Sequence, residues 1–559
     1  MACENVFYNE DYYDFLTEYG AIGGSVKDLF QTDCSYPINN RIASFFLEQQ
    51  QNQPVPYEQM SFSMIPKCYG LMDTEALQET GVWQIKSGPL ELTGQNVMIG
   101  FVDTGIDYNN PIFRYEDGRS KIHSIWDQSI PSEMPQEGVY YGTIYDREQI
   151  EQAVASENPY EVVPSRDDNG HGTFLAGIAA GRAVEEEEFY GVAPDAELIV
   201  VKLKEAKQNL RDYYLIDKDV EAYSEIDMIF GVEFLITQAY EAQKPLVICL
   251  GVGSNHGSHT GSTFLGDYLN FISVRRGVAI VVAAGNEGSA RSHYHGVIRD
   301  VQETVELRVG EKERGFSMEL WGKAPYRFRI QIESPSGQKT EWIDAGIRGN
   351  RSFQFLFERT QVYIDYLIVD PYSGEQGIIF RFSAPSEGIW KIRVEETQTG
   401  EKPFDVWLPI QTFIDENTFF LESSPYITVT TPADAGNVIS IAAYETSTGA
   451  IYLESSRGYT GNQLIKPDFA VPGVNLLGPV KGNRFGRRSG TSVAAALMAG
   501  MVALFFQWAI GEGNDPWIST TGVKSYFIRG AERDENRSYP NREWGYGKAN
   551  LYRVFLEIR

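Results

Sequence analysis

The sequence predicts a three-layer α/β fold with a mostly parallel central sheet, preceded by a small α+β unit and interrupted by a jelly-roll-like antiparallel β-sandwich. Three observations lead there. Residues 97–103, 198–203, 245–250 and 278–284 are near-continuous apolar runs of strand length. They alternate with helical stretches, as strands covered on both faces do. Between about 300 and 425 the rhythm changes to period-two alternation with Ser, Pro and Gly turns, at 305–309, 327–332, 363–369 and 390–394. The α/β rhythm returns at 437–443, so one unit is cut in two by another.

Taken in order, residues 1–70 form an acidic, short-patterned unit, with a helix expected over 11–19 and a strand over 41–47. Residues 71–299 hold the first part of the α/β unit, 300–425 the inserted sandwich and 426–559 the second part. The apolar stretch 493–510 approaches membrane length, but Gly500, Gln507 and its alanines fit a buried central helix better. With Lys+Arg at 48 and Asp+Glu at 76, the 559-residue chain carries a net charge of -28, which disfavours nucleic-acid and anionic-membrane partners. The hydrophobic fraction of 42% excludes global disorder. Cys3, Cys34, Cys68 and Cys249 show no ligand spacing, so no disulfide framework or zinc site is expected. The first residues lack the basic and apolar regions of an export signal, so synthesis in the cytoplasm is expected.

Three segments carry chemistry. Ile99-Gly-Phe-Val-Asp103 ends a buried strand on a carboxylate, Gly170-His171-Gly172 opens an apolar helix, and Gly490-Thr491-Ser492 opens the long buried one. A serine hydroxyl needs an adjacent base, and the base needs a buried acid to fix its tautomer. Asp103, His171 and Ser492 supply that set. Asn286, after the strand at 278–284, is a suitable side-chain donor to an oxyanion, with the Ser492 N–H as the second. Asp107, Asp167 and Asp168 are read as loop or supporting carboxylates, and Ser489 as a bystander.

These motifs resemble those of the subtilases, the subtilisin-like serine proteases. Asp103-Thr-Gly-Ile-Asp107, Gly170-His171-Gly172-Thr173, Ala284-Gly285-Asn286-Glu287-Gly288 and Gly490-Thr491-Ser492-Val493-Ala494 match the family's four segments, in the subtilisin order Asp, His, Ser. Phe174 stands where many relatives carry a second histidine. The architecture also resembles the Csp germination proteases of spore-forming clostridia. That resemblance implies spore association and activation of a cortex-lytic zymogen by limited proteolysis. It further implies an S1 pocket walled by Leu250, Gly251, Gly253, Ala284 and Gly285, whose small residues admit a sizeable P1 side chain. Residues 1–70 become a pro-segment that occupies the cleft until the chain cuts itself at Tyr69-Gly70 or within about eight residues of it.

The partners implied are a protein or peptide substrate and the chain's own pro-segment, with no nucleic acid, no membrane, and no cofactor or metal. Calcium is common in subtilases, yet no oxygen-ligand loop of readable spacing occurs here. His256, His259, His293 and His295 are read as loop histidines, and the acidic run 185–188 as a solvated loop. Two alternatives stay open: a binding or sensor protein that keeps the fold, and a broad degradative protease.

Overall fold

The computed structural model describes residues 3, 5–19, 26–49, 55–71, 80, 82, 91–132, 136, 138–344 and 351–558. In the N-terminal unit, β1 (Tyr12–Glu18), β2 (Ser35–Pro37) and β3 (Ile42–Glu48) form one antiparallel sheet in the order β1-β3-β2. The helix expected over 11–19 is therefore a strand. All seven residues of β1 pair with β3, and Phe15 stacks on Phe45 at 5.1 Å between centroids. Cross-strand aromatic packing overrides the weak helical pattern of a Tyr-, Phe- and Leu-rich segment. Contrary to expectation, Cys3 and Cys34 form a disulfide, with Cα atoms 5.2 Å apart. Their separation of 31 residues carries no local signature. The unit ends in β4 (Cys68–Leu71), which leaves this sheet and joins the next unit.

That next unit contains β5 (Met98–Asp103), β6 (Ile122–Asp127), β7 (Thr143–Asp146), β8 (Glu197–Lys202), β9 (Tyr223–Ser224), β10 (Leu246–Leu250), β11 (Val252–Gly253) and β12 (Val278–Ala283). The inserted strands are β13 (His293–Ile298), β14 (Gln302–Val309), β15 (Gly315–Gly322), β16 (Arg329–Glu333), β17 (Arg351–Gln354), β18 (Gln361–Leu367), β19 (Gln376–Ser383), β20 (Gly388–Glu395), β21 (Lys402–Trp407) and β22 (Phe419–Phe420). After them come β23 (Ile439–Tyr444), β24 (Phe469–Pro472), β25 (Leu476–Val480) and β26 (Arg484–Arg488).

The central sheet runs β24-β23-β12-β10-β5-β8-β6-β7, parallel except for edge strand β7. Every residue of β5, β10, β12 and β23 is buried. One apolar layer packs the helices His171–Ala180 and Thr491–Phe506 against one face, and a second packs Glu225–Glu241 and Phe264–Ile272 against the other. By length and composition the stretch Thr491–Gly511 could cross a membrane, yet all residues of Thr491–Phe506 are buried in the α/β unit. The inserted strands form two antiparallel sheets, β13-β21-β15-β19-β18-β17 and β16-β20-β14-β22. Their shared core includes Phe316, Phe380, Phe382 and Trp390. This architecture is the expected α/β fold with a mostly parallel central sheet and additional antiparallel sheets.

Candidate active site

Parallel sheets present functional groups beyond the carboxyl ends of their strands, where helices begin. Asp103 is the last residue of β5, His171 the first of its helix and Ser492 the second of its own. The fold brings them together: His171 Nδ1 lies 2.7 Å from Asp103 Oδ1, and His171 Nε2 lies 3.1 Å from Ser492 Oγ. All three are buried. Since the carboxylate only accepts, Nδ1 carries the proton, and Nε2 is left to take one from the serine.

A second ring of bonds holds these groups. Asp103 Oδ1 also accepts from the Thr104 N–H at 2.8 Å. Thr104 Oγ1 donates to Asp167 Oδ1 at 2.8 Å and accepts from the Gly172 N–H at 3.0 Å. Asp167 accepts from the Gly170 N–H at 2.7 Å and from the N–H and hydroxyl of Thr173 at 2.8 and 2.6 Å. This buried carboxylate therefore caps the histidine helix at its positive end and ties it to the aspartate strand. Asp107 accepts from the Tyr160 hydroxyl at 3.2 Å, and burial raises its carboxyl above the ordinary range. Asp168 is exposed, and Ser489 Oγ accepts from Asn475 N at 3.4 Å, so neither belongs to the relay.

Asn286 stands beside the serine helix. Its Oδ1 accepts from both the N–H and the hydroxyl of Thr491, each at 3.1 Å. A backbone N–H can only donate, so the orientation of the amide is fixed, with Nδ2 turned away from Thr491. Thr491 Oγ1 also accepts from the Gly285 N–H at 3.1 Å. Asn286 and the Ser492 N–H thus both stand at the N-terminus of the serine helix. The sequence reading missed Thr491, although its place directly before the serine was a signal.

Of the pocket residues, Gly251 lies closest to the relay. A Cβ there would sit 3.0 Å from His171 Cε1 and 3.1 Å from Asp103 Oδ2. Leu250 packs in the apolar layer with the Glu225–Glu241 helix, and Gly253 belongs to β11. Ala284 is buried, and its carbonyl accepts from Thr430 N at 2.9 Å. Gly285 has φ +103°, with Thr430 and Ser456 filling the space a side chain would need.

Next to Asn286, and outside the pocket segments read from sequence, Glu287 is buried with Asn255 Nδ2 at 3.4 Å, Ser292 Oγ at 3.2 Å and the Gln411 N–H at 3.2 Å. Burial pushes its carboxyl up to about 7.

Strand β4 occupies the edge of this site. It lies between β9 and β11, in antiparallel register, with Cys68 and Tyr69 paired to Ser224 and Tyr223, and Gly70 and Leu71 paired to Gly253 and Val252. Its chain therefore runs toward Gly251 and the relay. Tyr69 is fully buried and pairs with Tyr223.

The histidines read as loop residues are engaged in structure. His256 bonds Glu319 at 2.8 Å, and His259 bonds the Val429 and Asn255 carbonyls at 2.8 and 3.1 Å. His293 and His295 lie on strand β13, where both meet Asp405, at 3.1 and 2.7 Å. The run Glu185–Glu187 is a short exposed turn. Among the described residues no group of three or more His, Cys, Asp or Glu could hold a metal ion.

A carboxylate, imidazole and hydroxyl in series, flanked by an oriented amide on this sheet, have the arrangement that serine peptidases use. The chain belongs to the subtilase family, whose model matches residues 94–307 and 422–547, leaving out most of the inserted sheets. The CspB protease of Clostridium perfringens superposes with a TM-score of 0.76 at 31% identity, covering 85% of this chain and 97% of that one. The C5a peptidase of Streptococcus pyogenes serotype M1 is 25% identical over 457 residues, which make up 74% of this chain but 34% of that protein. Subtilisin E of Bacillus subtilis is 26% identical over 215 residues, 38% of this chain and 41% of that one. The chain thus spans about a third of the C5a peptidase and less than half of subtilisin E.

Proposed function

We propose that the chain is a serine endopeptidase acting through an acyl-enzyme. The observation that carries this reading is His171, bonded to Asp103 on one ring nitrogen and to Ser492 on the other. In this mechanism Ser492 Oγ attacks the scissile carbonyl while His171 Nε2 takes its proton, and Asp103 holds the imidazolium that forms. The oxyanion is met by Asn286 Nδ2 and the Ser492 N–H, and His171 then protonates the leaving amine. Water repeats the sequence on the ester.

Residues 1 to about 70 act in this reading as a pro-segment. Support comes from β4, whose pairing with β9 on one side and β11 on the other is that of an extended peptide laid between two strands and aimed at the relay. The expected cut, at Tyr69-Gly70 or within about eight residues of it, extends into residues 72–79, which lie outside the described residues. As to substrate, the likeness to the CspB protease over nearly the whole of that chain supports limited proteolysis of a spore cortex-lytic zymogen. That substrate would make the protein spore-associated.

Labelling by a fluorophosphonate probe tests the reading. Wild type should react and Ser492→Ala should not; an unreactive, folded wild type overturns it. Denaturing electrophoresis with N-terminal sequencing should show a split wild type and an intact Ser492→Ala chain. A whole wild-type chain with full peptidase activity refutes the pro-segment.

A further inference from the structure

The chain carries a net charge of -28, yet from Phe469 to Gly511 it has no Asp or Glu. Within that stretch, the hairpin β25–β26 and its turn place Lys481, Arg484, Arg487 and Arg488 together. The hairpin ends four residues before Ser492 and packs on the histidine helix. Pro479 fills the space beside Gly177, and Phe174 lies beside Gly478. Arg488 and Lys481 reach the start of that helix, where the Arg488 guanidinium and the Lys481 stem each come within 3.6 Å of a Cβ built at Gly170, the residue before His171. The Arg488 guanidinium also stands over the Phe174 ring at 5.5 Å. Phe174, the position that departs from many relatives, is fully buried and serves as a platform for this cation.

The two flanks of the relay are therefore unlike. On one flank β4 lies between β9 and β11, and Glu221 accepts from Asn169 Nδ2 at 2.9 Å and from the hydroxyl of Tyr223, a β9 residue, at 3.3 Å. A peptide running in the direction of β4 passes Gly251 and the relay and leaves on the other flank, where the hairpin stands. The chain's own sequence after β4 matches: residues 72–79 carry Asp73, Glu75 and Glu79 and no Lys or Arg.

We infer that the Lys481–Arg488 hairpin forms the subsites for the leaving side of the substrate and selects peptides with carboxylate side chains just C-terminal to the scissile bond. This rests on the endopeptidase reading and specifies its substrate class. Partly exposed ion pairs contribute little one by one, but several together give a preference on the order of tenfold at low ionic strength, fading as salt screens it.

The experiment uses the full-length enzyme and two internally quenched peptides of residues 65–79, one with the natural sequence and one carrying Asp73→Asn, Glu75→Gln and Glu79→Gln. Fluorophosphonate labelling of each enzyme shows that its relay is assembled. The ratio of kcat/KM, natural over amide peptide, should be about ten for wild type at low salt and fall toward one in molar salt. It should collapse to about one in Lys481→Gln/Arg488→Gln and be largely kept in Arg488→Lys. Equal rates on the two peptides, no cleavage of either by probe-reactive enzyme, or a ratio that survives in the double variant overturns the inference. Failure of wild type to label removes the endopeptidase reading instead.

Discussion

Glu287→Gln tests the electrostatics around the oxyanion loop, because the cost of that buried carboxyl can be worked from its surroundings. Glu287 follows Asn286 and meets only neutral donors, from Asn255, Ser292 and Gln411. Burial moves its carboxyl from the ordinary 4.5 to about 7, a difference worth about 3 kcal/mol. The sign follows from proton counting. Below pH 4.5 the group is protonated in both folded and unfolded chains and has no effect. Between 4.5 and 7 the folded protein keeps a proton that the unfolded chain has released, so stability falls as pH rises. Above 7 both forms are ionised and the full cost stands.

Glutamine removes this dependence and keeps a carbonyl for the Gln411 N–H. Any constant cost of the substitution cancels when the difference between variant and wild type is compared at two pH values. Thermal unfolding should therefore show the variant's Tm rising relative to wild type between pH 4.5 and 8 by about 3 °C, the scale expected for about 3 kcal/mol in a large domain. A difference that is flat with pH, or that grows toward acid, refutes the buried, uncompensated carboxylate.

Ser492→Ala should lower kcat by about 10⁴ to 10⁶ while leaving circular dichroism unchanged, since the side chain acts on substrate and not on packing; residual turnover above a hundredth of wild type argues against the relay. Asn286→Ala should lower kcat by about 10² to 10³ with KM much less affected. Thr491→Val removes the hydroxyl bonds to Asn286 and Gly285 but keeps the Thr491 N–H, so a loss of about tenfold is expected, again in kcat; a pure KM effect in either variant assigns Asn286 to substrate binding. Gly251→Ala drives a methyl to 2.7 Å from Leu175 Cδ1 and against the imidazole and carboxylate, and should cut fluorophosphonate reactivity by about 10². Unchanged labelling of Gly251→Ala shows that the β10–β11 turn yields freely.

The sequence made the central sheet legible because strands buried on both faces must be continuously apolar, and β5, β10 and β12 are. Asp103, His171, Asn286 and Ser492 were legible for another reason: each lies at an end of an element or a few residues beyond it, inside a short motif whose glycines mark close backbone approach. What supports them was not. Asp167 acts through four polar groups on two segments, one of them 63 residues away in sequence, and Glu287 acquires its character from Asn255, Ser292 and Gln411, up to 124 residues away. Partnerships of that kind leave no period and no spacing. For β1 a local helical pattern competed with seven long-range pairs to β3, and the pairs prevailed.

Strand β4 shows what a long-range placement can mean for chemistry. Its sequence, Cys68-Tyr69-Gly70-Leu71, is unremarkable, and its neighbour Lys67 belongs to the same arrangement: the Lys67 N–H donates to Glu225 Oε2 at 3.1 Å, and Glu225 Oε1 accepts from Leu265 N at 3.0 Å. Glu225 opens the helix that follows β9, so the carboxylate at that helix N-terminus is shared between the N-terminal unit and the α/β unit. Withdrawal of β4 would expose two strand edges, at β9 and β11, and take one donor from a fully buried carboxylate. If residues 1–70 are a pro-segment, a substrate that replaces β4 restores those edge bonds with its own backbone, which any peptide without proline at the pairing positions can do. Backbone pairing therefore supplies affinity without choice, and selection falls to whatever the side chains meet on either flank of the relay. On the far flank the structure offers the arginine and lysine side chains of β25–β26, which is why the carboxylates downstream of the cut should decide which peptides this site accepts.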